Sequence, residues 1–66
     1  MPQCVIIVED MDSINLQEEM NERLKALEET TRAGRVGDIE LTEVRISGAD
    51  SLGYRIMSAI AKWSVA

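Results

Sequence analysis

The sequence predicts an α+β fold: a β-α-β-β protomer with one helix packed on a three-stranded sheet, assembling through the open face of that sheet. Three observations predict it. A β-branched run, Cys4-Val5-Ile6-Ile7-Val8, lies near the start and suits a strand covered on both sides. Leu16, Met20, Leu24 and Leu27 then recur at helical spacing. Two further apolar segments flank a small, polar, glycine-bounded turn from Ser47 to Gly53, as in a hairpin. With 66 residues there is room for one domain, 1–66.

The first strand is expected over Gln3 to Glu9. Pro2 precedes it, where a missing N–H does least harm, and the acidic turn Glu9-Asp10-Met11-Asp12-Ser13 ends it. The helix is expected from Asn15 to Thr31. Asn15 serves as N-cap, with the Glu18 carboxylate three residues on. On the polar face, Glu19–Arg23 and Glu28–Arg32 are i,i+4 pairs in the favourable order, while Glu18 and Glu22 repel. Gly34 is placed as the left-handed residue beyond the helix end.

The second strand is expected over Asp38 to Ser47. Ile39 and Leu41 share one parity, and Val44 and Ile46 share the other. One buried face accommodates both pairs only if an extra residue intervenes, which predicts a bulge or sharp bend near Thr42–Glu43. The alternative is that the two ends of the strand pack on different partners. Residues 54–65 fit two templates. As a helix, Leu52, Ile56, Ile60 and Trp63 form a stripe. As a strand, Arg55, Met57, Ala59, Ala61 and Trp63 share one face and Tyr54, Ile56, Ser58 and Ile60 the other. The preceding turn favours the strand.

Size argues for self-association. A chain this short buries only about 60% of its unfolded surface, and its core rarely supplies more than roughly 3–5 kcal/mol. Cys4 is the sole cysteine and histidine is absent, so an intrachain disulfide and a zinc site are both excluded as staples. Association of copies is the ordinary remaining route. One helix also covers only one face of a sheet, so the five residues Cys4 to Val8 cannot all hide beneath it. The other face is expected to meet another subunit, which makes the protein its own first partner.

A lone cysteine in an apolar run reads as a small core residue in a reducing compartment. The run is too short for a membrane span and has no basic start before it, so a cytoplasmic protein without membrane attachment is expected. The net charge of −5 argues against a nucleic-acid polymer as partner. The charge is uneven. Residues 1–31 hold eight acids and two bases; residues 32–66 hold four acids and five bases, so the second half is where an anion should be sought.

The segment LQEEMNERLKAL after a short apolar strand, followed by GDIELTEVRIS and YRIMSAIAKW, resembles a family of short sporulation-associated proteins of about this length. The resemblance spans most of the chain and implies an oligomer-forming α+β domain with no catalytic residues to carry over. The segment TTRAGRVG is longer and more basic than the family pattern. The strand–helix–strand–strand order is also similar to that of dodecins, whose oligomers bind flavins; that likeness lies in element order alone.

No nucleophile–base pair is visible, and the sequence is read as non-enzymatic, with no cofactor and no metal. Glu9, Asp10 and Asp12 cluster in one turn but lack the spacing of a calcium loop, and a solvated turn accounts for them. The candidate ligand-binding residues are Arg35, Arg45, Tyr54, Arg55 and Trp63. Arginine forks suit phosphate, the glycine-rich RAGRVG offers backbone N–H groups, and Tyr54 and Trp63 are the only aromatics that can stack on a base. Arg45 and Arg55 flank the hairpin turn and are expected to face one ligand. The plain alternative makes Arg32 the partner of Glu28, Arg35 a solvated loop residue and Trp63 core or interface. The expected function is a small homo-oligomeric binding protein that holds or sequesters an anionic ligand, such as a nucleotide or cyclic (di)nucleotide, between subunits. A phage or mobile-element origin accords with so short and acidic a chain. The alternative is a structural or adaptor protein that binds another protein and no small molecule.

Overall fold

In the computed structural model, which describes residues 2–66, the chain runs β1 (Gln3–Asp10), α1 (Ser13–Thr31), β2 (Arg35–Ile46) and β3 (Arg55–Val65). The strands form one antiparallel sheet in the order β1-β3-β2, with α1 on one face. The last segment is therefore the central strand. It pairs with β1 from Gln3↔Lys62 to Asp10↔Arg55, and with β2 from Arg35↔Val65 to Ile46↔Met57.

Strand alternation decides what the helix covers. Ile6 and Val8 of β1 are buried at 7% and 4% exposure, whereas Val5 and Ile7 remain 62% and 60% exposed. On β3, Ala59 and Ala61 are buried opposite Ile6 and Cys4. Their small side chains leave room for Leu16 and Met20, the two fully covered residues of the helical stripe, while Leu24 and Leu27 pack at the margin. Ile39 completes the core from β2. Residues 55–65 are thus strand, with the face division expected from parity.

The helix starts earlier than Asn15. Asp12 is the N-cap, with extended backbone, and its carboxylate accepts the Ile14 N–H at 2.8 Å. An aspartate here takes the first orphan donor of the helix, so Ser13 and Ile14 join it and Asn15 lies inside. The other end also differs from expectation. Gly34 is not left-handed. Arg32 and Gly34 instead donate their N–H groups to the Glu29 and Thr31 carbonyls, in tight i,i+3 turns. Of the two i,i+4 ion pairs expected, neither is formed; Arg32 reaches Glu29 at 3.4 Å, both side chains exposed.

β2 begins at Arg35 rather than Asp38, because β3 runs on to Val65 and offers partners to Arg35 and Val36. The expected bulge is present. The register shifts between Thr42 and Arg45, and Glu43 adopts φ 51°. The extra residue brings Leu41 and Ile46, of opposite parity, onto the helix-side face. A second shift lies between Val36 and Glu40, where Gly37 takes φ 79° at a position that favours glycine. The β2–β3 loop is an aspartate-built turn: Asp50 Oδ1 accepts the N–H groups of Leu52 and Tyr54 at 2.8 and 3.0 Å.

The chain is long, 44 × 18 × 12 Å, with a radius of gyration of 13.1 Å. A compact chain of this length has about 11 Å. Its accessible surface of 4744 Å² also exceeds the roughly 4200 Å² of a compact monomer of this mass. Replacing Asp12 by Ala should lower stability by about 1 kcal/mol in chemical denaturation, and replacing Asn15 by Ala should leave it within about 0.5 kcal/mol. A larger loss for Asn15→Ala than for Asp12→Ala would return the cap to Asn15.

Candidate functional site

The structure distributes the five candidate residues over three places. Arg35 pairs with Val65 in the β2–β3 ladder, on the helix-side face and two residues along from Trp63, which packs half-buried against the core. The Arg35 guanidinium donates from Nε to Thr31 Oγ1 at 3.1 Å and from a terminal nitrogen to the Gly37 carbonyl. It thereby ties the helix end to the first bulge, and much of its donor fork serves the fold. Tyr54 and Arg55 lie at the opposite end of β3, roughly 27 Å from Trp63 by strand rise. Arg55 sits opposite Asp10 on the helix-side face.

Arg45 stands apart. It pairs with Ser58, which alternation places on the open face with Ile56 and Ile60. The same register puts Val5 opposite Ile60, Ile7 opposite Ser58 and Glu9 opposite Ile56. The open face is thus an apolar field of Val5, Ile7, Ile56 and Ile60, with Arg45 at one margin and a cross-strand Glu40–Lys62 pairing beyond it. Arg45 and Arg55 flank the hairpin turn in sequence but lie on opposite faces, so one protomer does not direct both at one ligand. Among the described residues, neither has a carboxylate within ion-pair distance.

Sequence reasoning missed a groove of about 480 Å³ between Cys4–Ile7 of β1 and Arg23, Ala26, Leu27 and Thr30 of α1. It contains none of the five candidates, and its one charged group is Arg23. Arg23 reads in sequence as half of a helix-surface pair, so only the placement of β1 beside the helix reveals its position. Cys4 borders the same groove as a half-buried free thiol.

Among the described residues, no three Cys, Asp or Glu side chains gather as they would around a metal ion. The acidic turn is organised by hydrogen bonds instead. Asp10 Oδ1 accepts the Asp12 N–H at 3.0 Å and lies 3.5 Å from Asn15 Nδ2. The Asp12 backbone bond holds the Asp10 carboxyl below its ordinary range, and Glu19 is pushed up by partial desolvation and by its hydrogen bond and charge contact with Asp10. Among the described residues, no helix is long and apolar enough to cross a membrane. The chain matches no family model, no curated protein and no solved structure.

A carboxyl with a raised folded-state pKa binds its proton more readily folded than unfolded, so ionising Glu19 opposes folding. Glu19→Gln should therefore raise the melting temperature at neutral pH. The gain should fade as pH falls through the raised folded range toward the ordinary glutamate value and be gone below about 4, where the wild-type carboxyl is protonated in both states. Melting curves of the two proteins from pH 3 to 8 on the order of one unit apart check this.

Proposed function

We propose that the protein is a non-enzymatic homo-oligomeric binding protein that holds a small anionic ligand, of nucleotide or cyclic (di)nucleotide type, where subunits meet. The observation that carries the reading is Arg45: an arginine without a carboxylate partner among the described residues, on the margin of an exposed apolar face, in a chain of net charge −5. An apolar field beside a guanidinium suits a planar, phosphorylated molecule, with the field against the base and the fork on phosphate. Bringing two such faces together supplies a second Arg45 and closes the site from water. Arg55 with Tyr54, and Arg35 with Trp63, contribute only if neighbouring subunits bring the ends of β3 to that face.

A second reading, a protein-binding adaptor, is favoured by the open face itself. Its field is apolar, and the groove of the protomer lies elsewhere. The likeness to short sporulation-associated proteins supports the same class.

Thermal melting against nucleotides and cyclic dinucleotides separates the two. At a hundredfold excess over Kd, a ligand specific for the folded state adds about 2.7 kcal/mol, a rise of about 20 °C for a domain of this size. Arg45→Ala should abolish the rise while leaving the oligomer mass unchanged by light scattering. Flat melting curves across the whole panel would sink the ligand reading and leave the adaptor.

A further inference from the structure

The two edges of the sheet are built differently. β2 carries two register shifts, positive φ at Gly37 and Glu43, and charged residues along its length from Arg35 to Arg45. Those are the ordinary devices that stop an edge from pairing with another strand. β1 has no register shift and no positive φ, and its charges, Glu9 and Asp10, stand only at its end. Its eight residues pair with β3 without a shift, and Gln3–Asp10 contains no lysine, arginine or proline.

The backbone of β1 shows what that edge offers. The Trp63 N–H donates to the Pro2 carbonyl at 3.3 Å. In an antiparallel pair this directs the backbone groups of Cys4, Ile6, Val8 and Asp10 toward β3, and those of Gln3, Val5, Ile7 and Glu9 outward. Beside these outward groups runs the groove under Arg23, Ala26 and Leu27. An added strand would border that groove on its open side.

We propose that β1 pairs antiparallel with β1 of a second copy of this chain, about a two-fold axis at Ile6, making one six-stranded sheet. Opposed residues must share a face, so only registers centred on a residue are allowed. Centring on Ile7 sets Val5 against Glu9 and Cys4 against Asp10. Centring on Val5 sets Gln3 against Ile7. Centring on Ile6 matches polar with polar and apolar with apolar: Gln3 opposes Glu9, Cys4 opposes Val8 and Val5 opposes Ile7 of the partner subunit. No like charges face each other, and the outward N–H groups of Val5 and Ile7 find carbonyls. The two open faces then join, with Val5 and Ile7 of both copies in one apolar row. This inference rests on the self-association in the functional reading but not on any ligand.

Cross-linking reads the register. In a Cys4→Ala background, Val5→Cys and Ile7→Cys chains are unfolded together, refolded as a mixture and oxidised. The mixed disulfide should dominate, because directly opposed residues lie within disulfide reach and the diagonal Val5–Val5 and Ile7–Ile7 pairs lie beyond about 7 Å. Val5→Pro removes an outward N–H but no bond to β3, so it should lower the native mass by light scattering while keeping the circular dichroism spectrum. Val5→Cys chains that cross-link with themselves as readily as in the mixture would overturn the Ile6-centred register. Absence of any cross-link in a wild-type-sized oligomer would overturn the edge pairing and leave the homo-oligomer standing. A wild-type monomer at micromolar concentration would overturn both.

Discussion

The structure depends on the packing of Leu16 and Met20 over Ala59 and Ala61. β3 is the middle strand, so what it presents to the helix sets how closely the two layers approach. Two alanines there let the helix sit low enough for Leu16 to lose all solvent contact, with Ile6 and Val8 alongside. Everything else in the core is peripheral to that contact. Because β3 is also the last element, neither β1 nor β2 has a sheet partner until the end of the chain is in place. The β1–β3 ladder joins Gln3 to Lys62, a non-local pairing of the kind that slows folding.

That contact is also local. It lies over the middle of β3 and leaves the far ends of the β2–β3 hairpin uncovered, which is why the chain reaches 44 Å with seven buried apolar side chains among the described residues. Among the exposed apolar residues, Val5, Ile7 and Ile56 share the open face, with half-buried Ile60 between the strands there; Val44 and Ile46 mark the hairpin end. An arrangement like this loses little by leaving the helix acids in water and gains most by covering the sheet.

The architecture was legible in the sequence because alternation and helical spacing are properties of side-chain order alone. Reading Ile39, Leu41, Val44 and Ile46 by parity was enough to locate the bulge at Thr42–Glu43. The helix start was misplaced because two aspartates and an asparagine compete for the cap, and the winner depends on how β1 delivers the chain. The extra length of β2 and the second bulge at Gly37 were hidden for a similar reason. They exist because β3 extends to Val65, a fact about the partner strand and not about Arg35 or Val36. The candidate site was less legible. Closeness to one turn said that Arg45 and Arg55 were neighbours, but an odd separation modified by a bulge decides which face each takes. The groove at Arg23 had no sequence signal at all, since its walls come from two elements with no shared pattern.

The contrast between the two sheet edges bears on which assemblies the fold permits. An arginine-bearing, twice-bulged β2 resists addition of a strand, so with the proposed β1 pairing growth through edges would stop after one event and yield a closed pair instead of a fibre. Further growth would then use the open face, whose apolar row is doubled in such a pair. Edge and face contacts are perpendicular to each other, so a small set of copies can satisfy both. Each Arg45 sits at the border between the apolar row and the exposed hairpin. On the functional reading proposed above, it would be left at the rim when faces meet, beside an apolar wall and open to solvent.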